Sequence, residues 1–333
     1  MDHIAQIAGK LADHQLDAML LASQAGERYA VGFHGEGLVL VTREGAHYST
    51  DSRYIEAARQ EVQGAQVELV TRERGHLALA AGYLQEHGLK RVGFESGAVS
   101  VDALARYERA LPCTLVPAQD LPDGLRASKD GEELAAMEAA QRITDEAFQA
   151  ILNFIRPGQT EREVAARLVY ELLRRGGERV SFDPIVAAGA NGSKPHAVPG
   201  DTVIQPGMFV TMDFGCVWRG YCSDMTRTVA VGKPAPEMER VYQVVLEAQQ
   251  AGIAAARAGS LREHKAVRRG ILTLTILICM STMFLKQHSA VDVVCGLILS
   301  VVLDLLVRRW NPGLGLLRLV VRPRAGGRTV MET

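Results

Sequence analysis

The sequence predicts an α/β N-terminal domain, a second domain of α+β type and an apolar helical C-terminal tail. Short β-like runs alternate with helical patterns up to about residue 125. Two capped helices and a series of strands follow to about residue 262. After Leu261 the composition changes abruptly. A chain of 333 residues with 47% hydrophobic content is ample for the cores of two domains.

The predicted N-terminal domain spans residues 1–125. Its β-like runs are LDAMLLAS, GLVLVT, QVELVT and RVGFES, and its helical patterns include HLALAAGYLQEHG and SVDALARYERAL. Alternation of this kind is typical of an α/β domain. The segment LPDGLRASKDGEE then collects Pro, Gly, Lys and Asp, which indicates a domain boundary.

The second domain, residues 126–262, is predicted to begin with two helices. Asp130 and Glu133 have the spacing of an N-cap and capping box for a long helix that runs through Ile155. Thr160 and Glu163 have the same spacing at the start of the next helix, which ends at a Gly-Gly pair. Strand-like segments occupy about 179–231, and an amphipathic helix follows them.

The segment VTMDFGCVWRGYCSDMTRTVAV predicts a β-hairpin. A turn at Arg219-Gly220 places Asp213 opposite Thr226, and it places Gly215 opposite Asp224. Because side chains alternate along a strand, one face of the hairpin is polar. Its members are Thr211, Asp213, Gly215, Asp224, Thr226 and Thr228. The reverse face is apolar and is expected to pack on a core, with Val210, Met212, Phe214, Met225 and Val229.

Two carboxylates on one face, Asp213 and Asp224, indicate a cation site. Such a pair repels when both groups are ionised, and a shared proton or a bound cation relieves the repulsion. Oxygen ligands favour Mn²⁺ or Mg²⁺, and an imidazole ligand would extend the choice to Zn²⁺ or Co²⁺. His196 lies on a constrained loop between Pro195 and a Pro199-Gly200 turn. The alternative is a solvated hairpin face that carries two aspartates.

Charge and cysteine content limit the class of protein. A net charge of −1 and the lack of a basic stripe in the first 260 residues argue against a nucleic-acid binder. Five scattered cysteines without a CxxC pair fit reduced thiols in a cytoplasm. The N-terminal segment MDHIAQIAGKLADHQ lacks the pattern of an export signal. We therefore expect a cytoplasmic protein.

Two motifs together, SFDPIVAAGANGSKPHAVPGD and the hairpin segment, resemble the pita-bread metallopeptidases of the Xaa-Pro dipeptidase and aminopeptidase P group. The resemblance covers residues 1 to about 262 and implies a creatinase-type N-terminal domain. It also implies that Asp213 and Asp224 ligate a dinuclear centre of Mn²⁺ or Co²⁺, with Zn²⁺ as an alternative. His196 would help to handle the substrate or the tetrahedral intermediate. The implied substrate is a peptide with proline at the second position, and homo-oligomers are common in the group.

The resemblance also implies metal ligands that the sequence does not supply. The family completes its centre with a His and two Glu from a later region, which includes a GHGIGL-like segment and a C-terminal strand that bears Glu. Neither motif occurs in this sequence. An incomplete pita-bread domain with low metal occupancy is therefore expected.

The tail, residues 263–333, differs in character from the rest. Gly270 to Leu285 contains no charge, and Ser289 to Val307 is apolar except for two aspartates. Segment 270–307 is either a membrane hairpin or a buried helical pair. LICMSTMFLKQHSAVDVVCG also resembles the last motif of type 2 phosphatidic acid phosphatases, which implies phosphatase-like roles. The matching residues are Ser281, His288 and Asp292.

Three hypotheses follow from these patterns. The first is a metal-dependent exopeptidase that uses Asp213, Asp224 and His196. The second is a non-catalytic fusion or truncated product with a membrane-associating tail. The third is a fragment of a membrane lipid phosphatase, which would need phosphate-binding motifs that the sequence lacks.

Overall fold

The structure, a computed structural model, describes residues 2–257. Within that part of the chain the residues form two compact units. The first unit comprises residues 2–153, 167–184 and 214–225. The second comprises residues 154–166, 185–213 and 226–257.

The first unit contains a six-stranded mixed sheet that is formed by the N-terminal part of the chain. Its strands are β1 (Ala18–Leu21), β2 (Leu38–Thr42), β3 (Ala46–Thr50), β4 (Ala65–Leu69), β5 (Arg91–Phe94) and β6 (Thr114–Pro117). The strand order is β4-β3-β2-β1-β5-β6. The strands β1, β2 and β3 pair antiparallel, whereas β4, β5 and β6 each join a neighbour in parallel.

Six helices accompany this sheet, and both faces of its central strands β1 and β2 are buried. The helices are α1 (His3–Lys10), α2 (Gln24–Val31), α3 (Ile55–Glu61), α4 (His76–Glu86), α5 (Val101–Ala110) and α6 (Asp120–Ala127). On β1, Met19 and Leu21 join one apolar cluster, and Ala18 and Leu20 join another. Burial on both faces explains why this strand is a continuous apolar run. The predicted α/β domain is confirmed.

Two long helices follow, each with the predicted cap. Helix α7 (Gly131–Leu152) begins at Asp130, whose side chain accepts from Glu133 N, while the Glu133 side chain accepts from Asp130 N. It ends before the predicted Ile155. Helix α8 (Glu161–Arg174) begins after Thr160, whose hydroxyl oxygen accepts from the backbone N–H of Glu163 at 3.2 Å. Both capping boxes are thus confirmed.

The remaining strands form two sheets of three strands. They are β7 (Arg179–Val180), β8 (Ile185–Ala188), β9 (Phe209–Phe214), β10 (Cys216–Trp218), β11 (Tyr221–Cys222) and β12 (Met225–Ala230). The sheet orders are β11-β10-β7 and β12-β9-β8. The predicted hairpin therefore exists, but it divides between two sheets at Gly215 on one side and at Ser223-Asp224 on the other. Helix α9 (Pro236–Arg257) is the predicted amphipathic helix.

Burial along β9 and at the start of β12 follows the predicted alternation, whereas Val229, predicted on the buried face, is only half-buried. Val210, Met212 and Phe214 are fully buried, and Met225 is 4% exposed. The intervening Thr211 and Asp213 are only half-buried. The apolar side of these strands therefore faces a core, as expected from period-two alternation.

No helix among residues 2–257 is long and apolar enough to cross a membrane. Segment 270–307, on which a membrane hairpin is predicted, lies outside the described residues.

Candidate metal centre

Asp213 occupies the penultimate position of β9 and belongs to the second unit. It is half-buried and lies opposite Ile185 in the antiparallel pairing of β9 with β8. On the other side, Thr226 Oγ1 donates a hydrogen bond of 2.8 Å to Asp213 Oδ1. The hydroxyls of Thr211 and Thr228 lie 2.9 Å apart on the same two strands. The predicted pairing of Asp213 with Thr226 is therefore observed, and a hydroxyl fixes the carboxylate.

Asp224 belongs to the first unit, where it follows β11 and is exposed. The hairpin of β10 and β11 turns at Arg219-Gly220, with φ of 47° and 81° at the two residues. Positive φ at both central residues is typical of a tight two-residue hairpin turn. Continued along both strands, this register places Gly215 opposite Asp224, as the sequence predicts.

Gly215 allows the close approach of the backbone beside Asp224. A Cβ atom at this position would lie 2.0 Å from Ser223 O and 2.6 Å from Ser181 Oγ. The buried Ser223 hydroxyl in turn lies 2.6 Å from Thr144 Oγ1, and it accepts a hydrogen bond of 2.9 Å from Cys216 N. Only glycine fits at 215, because no side chain has room between these groups.

His196 lies on the loop that follows a 3₁₀ helix, Gly189–Ser193, and its side chain is exposed. Its ring forms no hydrogen bond to other residues of the described part of the chain. The next residue, Ala197, is 5% exposed. Backbone placement of the loop therefore determines where the imidazole lies.

Glu161, the first residue of α8, is not among the site residues that the sequence predicts. Its side chain is fully buried, at 0% exposure. Its carboxylate accepts hydrogen bonds from the loop that carries His196, at Ala188 N, Asn191 Nδ2 and Gly200 N. A glutamate just after an N-cap is ordinary in sequence, so nothing local distinguishes it from the exposed Glu163. Its hydrogen-bond donors lie 27 to 39 residues further along the chain, so its contact with the loop cannot be seen in the local sequence.

The donor chemistry of the predicted ligands suits a divalent cation. Asp213 Oδ1 is occupied by the Thr226 hydroxyl, and Oδ2 has no hydrogen-bond donor within residues 2–257. Carboxylate oxygens are the ligands that Mn²⁺ and Mg²⁺ prefer. Asp224 offers the same oxygen chemistry in its own unit. These residues fit the kind of ion that the sequence predicts.

A different group of potential ligands lies in the first unit, at the start of α7. His3, Asp130 and Glu133 each place a ligand atom within 4.8 Å of the others. His3 Nδ1 lies 2.7 Å from the Tyr29 carbonyl oxygen, so the ring donates there, and Nε2 lies 3.1 Å from Asp130 Oδ2. Tyr221 donates to Glu133 at 2.8 Å.

This cluster has an explanation that needs no ion. Both carboxylates already serve the capping box of α7, and the positive end of a helix dipole disfavours a cation. The hydrogen bond from Glu133 N, and then that from His3, hold the pKa of Asp130 below its usual value. Partial burial and the neighbouring Glu133 raise the pKa of Tyr221, which therefore stays a donor. We interpret the group as a set of hydrogen bonds that attaches α1 to the start of α7.

The phosphatase-like residues Ser281, His288 and Asp292 lie outside the described residues. The same holds for the tail from residue 263 onward.

Comparison with known proteins identifies the families that the chain resembles. Residues 135–276 match metallopeptidase family M24, and residues 3–128 match the creatinase/prolidase N-terminal domain. An uncharacterised peptidase of Bacillus subtilis is 37% identical over 261 residues, which is 78% of this chain and 72% of the relative. A putative Xaa-Pro aminopeptidase of Mycoplasma pneumoniae is 35% identical over 252 residues, covering 74% and 69% of the two chains.

Solved structures give the same result for the fold. An Xaa-Pro dipeptidase from Bacillus anthracis superposes with a TM-score of 0.71 at 35% identity, covering 75% of this chain and 70% of the other. An X-Pro aminopeptidase from Thermotoga maritima gives a TM-score of 0.67 at 31% identity, covering 71% and 68%. A creatinase-type N-terminal domain followed by a pita-bread domain therefore describes the architecture.

Proposed function

The chain belongs to metallopeptidase family M24, and from that membership we propose that it is an exopeptidase that cleaves peptides with proline at the second position. The observation that carries the proposal is the half-buried Asp213, held by Thr226 on the polar face of a strand whose other face is buried. Relatives at 35% identity or more that span most of the chain are peptidases by name, and one is a putative Xaa-Pro aminopeptidase.

Asp213 and Asp224 are the proposed ligands of a pair of divalent ions, Mn²⁺ or Co²⁺, with Zn²⁺ as the alternative. Such ions, when bound, make hydroxide available near neutral pH and polarise the scissile carbonyl. The protein would hold the carboxylates of Asp213 and Asp224 in the orientation that binds the ions. Thr226 contributes by holding Asp213 Oδ1, which leaves Oδ2 for the ion.

His196 is the proposed catalytic residue. Its exposed imidazole on an anchored loop is suited to donate a hydrogen bond to the oxyanion that develops on the scissile carbonyl, or to move a proton there. A neutral imidazole can donate from one ring nitrogen and accept at the other, so both roles are chemically open to it. This role agrees with the one that the family resemblance implies.

The peptidase proposal is tested with the purified full chain, Mn²⁺ or Co²⁺, a Gly-Pro dipeptide and a longer Xaa-Pro peptide. We expect metal-dependent cleavage that falls by more than ~100-fold in Asp213→Ala and Asp224→Ala, because each removes a proposed metal ligand. Cleavage of the dipeptide alone would indicate a dipeptidase, and cleavage of the longer peptide would indicate an aminopeptidase.

Asp201→Ala is the matched control, since Asp201 is an exposed aspartate of the second unit that pairs with Arg162 at 3.3 Å. We expect it to leave cleavage unchanged. Failure of the unmodified chain to cleave either peptide with Mn²⁺, Co²⁺ or Zn²⁺ would overturn the proposal.

A cytoplasmic location, homo-oligomeric assembly and membrane contact through 270–307 stay predictions from the sequence.

A further inference from the structure

Glu161 is a fully buried carboxylate in the second unit that has only uncharged donors around it. Oε1 accepts from Ala188 N at 2.7 Å and Oε2 accepts from Gly200 N at 3.0 Å. Asn191 Nδ2 lies 3.0 Å from Oε1 and 3.2 Å from Oε2. Burying a carboxylate is costly unless its lone pairs are satisfied, and here N–H groups satisfy both oxygens.

The donors to Glu161 lie on both sides of His196 in sequence. Ala188 and Asn191 precede the histidine, and Gly200 follows it. One carboxylate therefore joins the two ends of the segment that carries the imidazole. Asn191 Nδ2 also lies 3.0 Å from Thr202 Oγ1, which extends the network beyond the loop.

The backbone around Glu161 continues this attachment. Glu161 N donates to Thr202 O, and Arg162 N donates to Gly200 O, each at 3.1 Å. These are N–H groups of the first turn of α8, which have no partner inside the helix. The start of α8 thus binds the loop through both its side chain and its main chain.

Stability alone does not account for a buried carboxylate here. Replacing a buried hydrogen-bonded group together with its partner by apolar groups of the same shape can be nearly neutral or stabilising. A fully satisfied polar network instead fixes one geometry, because alternative geometries leave buried donors unpaired. His196 has no hydrogen bond of its own to the described residues, so its position depends on that network.

We infer that Glu161 is a positioning residue that holds the loop of residues 189–200 so that His196 points at the substrate. The inference rests on the proposed function of His196 for its catalytic part. Its structural part, that Glu161 fixes the loop, stands independently. A displacement of about 1 Å in a catalytic group can cost ~100-fold in rate, so a residue remote from the substrate can matter to turnover.

The variant that tests this inference is Glu161→Gln. The amide has the size of the carboxylate but replaces one acceptor oxygen by a donor. In either orientation its NH₂ group faces a backbone N–H, that of Ala188 or that of Gly200. The matched control is Glu163→Gln, on the same helix. Glu163 is exposed and accepts from Thr160, and glutamine keeps an acceptor there.

The first measurement is hydrogen exchange of the full-length chain, read on peptides that contain Ala188 and Gly200. We expect one of these two amides to exchange ~10-fold faster in Glu161→Gln, since the amide that faces the glutamine NH₂ group loses a hydrogen bond worth about that factor, while the other keeps the remaining oxygen as its acceptor. Glu163→Gln should exchange like the unmodified chain. This readout needs no peptidase activity, so it remains decisive if the proposed function fails. Unchanged exchange in a folded Glu161→Gln chain would overturn the inference.

The second measurement is a double-mutant cycle with His196→Ala, using Mn²⁺ and the Xaa-Pro peptide. If Glu161 acts through the imidazole, Glu161→Gln lowers kcat by ~10-fold with little change in KM. Added to His196→Ala it then has no further effect. Losses that multiply would show that Glu161 acts independently and would overturn the positioning role. A fully active His196→Ala chain would overturn both the role of His196 and the catalytic part of the inference.

Asn191→Ala keeps the inference testable if Glu161→Gln does not fold. This change removes the Nδ2 donor that bridges both carboxylate oxygens but keeps the backbone donors. We expect faster exchange at Gly200 and a smaller loss of kcat that also disappears in the His196→Ala background. Exchange and kcat equal to those of the unmodified chain would contradict the inference.

Discussion

Gly215 lies where two strands approach too closely for a side chain. We predict that Gly215→Ala destabilises the chain by ~1–3 kcal/mol or more, because the new methyl group would meet the Ser223 carbonyl, a backbone atom that cannot rotate away. Urea denaturation of the full chain measures this change as a lower midpoint. Gly9→Ala, inside α1 with no atom within 4 Å of the added Cβ, is the control. It should be neutral or stabilising by ~1 kcal/mol. Equal midpoints for Gly215→Ala and the unmodified chain would contradict the packing argument.

At the scale of elements, the strand pair β9 and β12 offers a matched test of the proposed metal site. Thr226 and Thr228 lie on the same strand, but the first contacts Asp213 and the second contacts Thr211. We predict that Thr226→Val weakens activation by Mn²⁺ by ~10-fold or more, the usual cost of losing a partner that orients a metal ligand. Thr228→Val, with the same change of shape, should leave activation unchanged. The measurement is the rate of peptide cleavage as a function of free Mn²⁺ concentration. Equal effects of the two variants would refute a special role for Thr226.

Local sequence patterns predict most of the helices and strands. The division of the hairpin and the burial of Glu161 depend on contacts between residues that are distant in sequence. The capping boxes at Asp130 and Thr160 can be predicted from sequence because each N-cap residue and its glutamate partner are three residues apart. The sequence does not mark β3 and β6 clearly, since AHYST contains none of Val, Ile and Leu and TLVP ends in a proline, which is unfavourable inside a sheet. The division of the hairpin at Gly215 depends on packing against Ser223. The burial of Glu161 depends on a loop that follows it by 27 to 39 residues, which no local pattern reveals.

At the scale of the whole molecule, the affinity for Mn²⁺ depends on how many metal ligands the protein supplies. Asp213 and Asp224 are the proposed ligands, and two carboxylates hold a divalent ion weakly compared with a full set of ligands. We therefore predict that dialysis against EDTA abolishes peptide cleavage and that added Mn²⁺ restores it. The measurement is the initial rate at buffered concentrations of free Mn²⁺. Dialysis against EDTA already saturated with Mn²⁺ is the control, because it has no free chelating capacity and should leave the activity in place. Cleavage that survives exhaustive chelation would contradict a metal-dependent mechanism, whereas a response retained in Asp213→Ala would place the metal on other ligands.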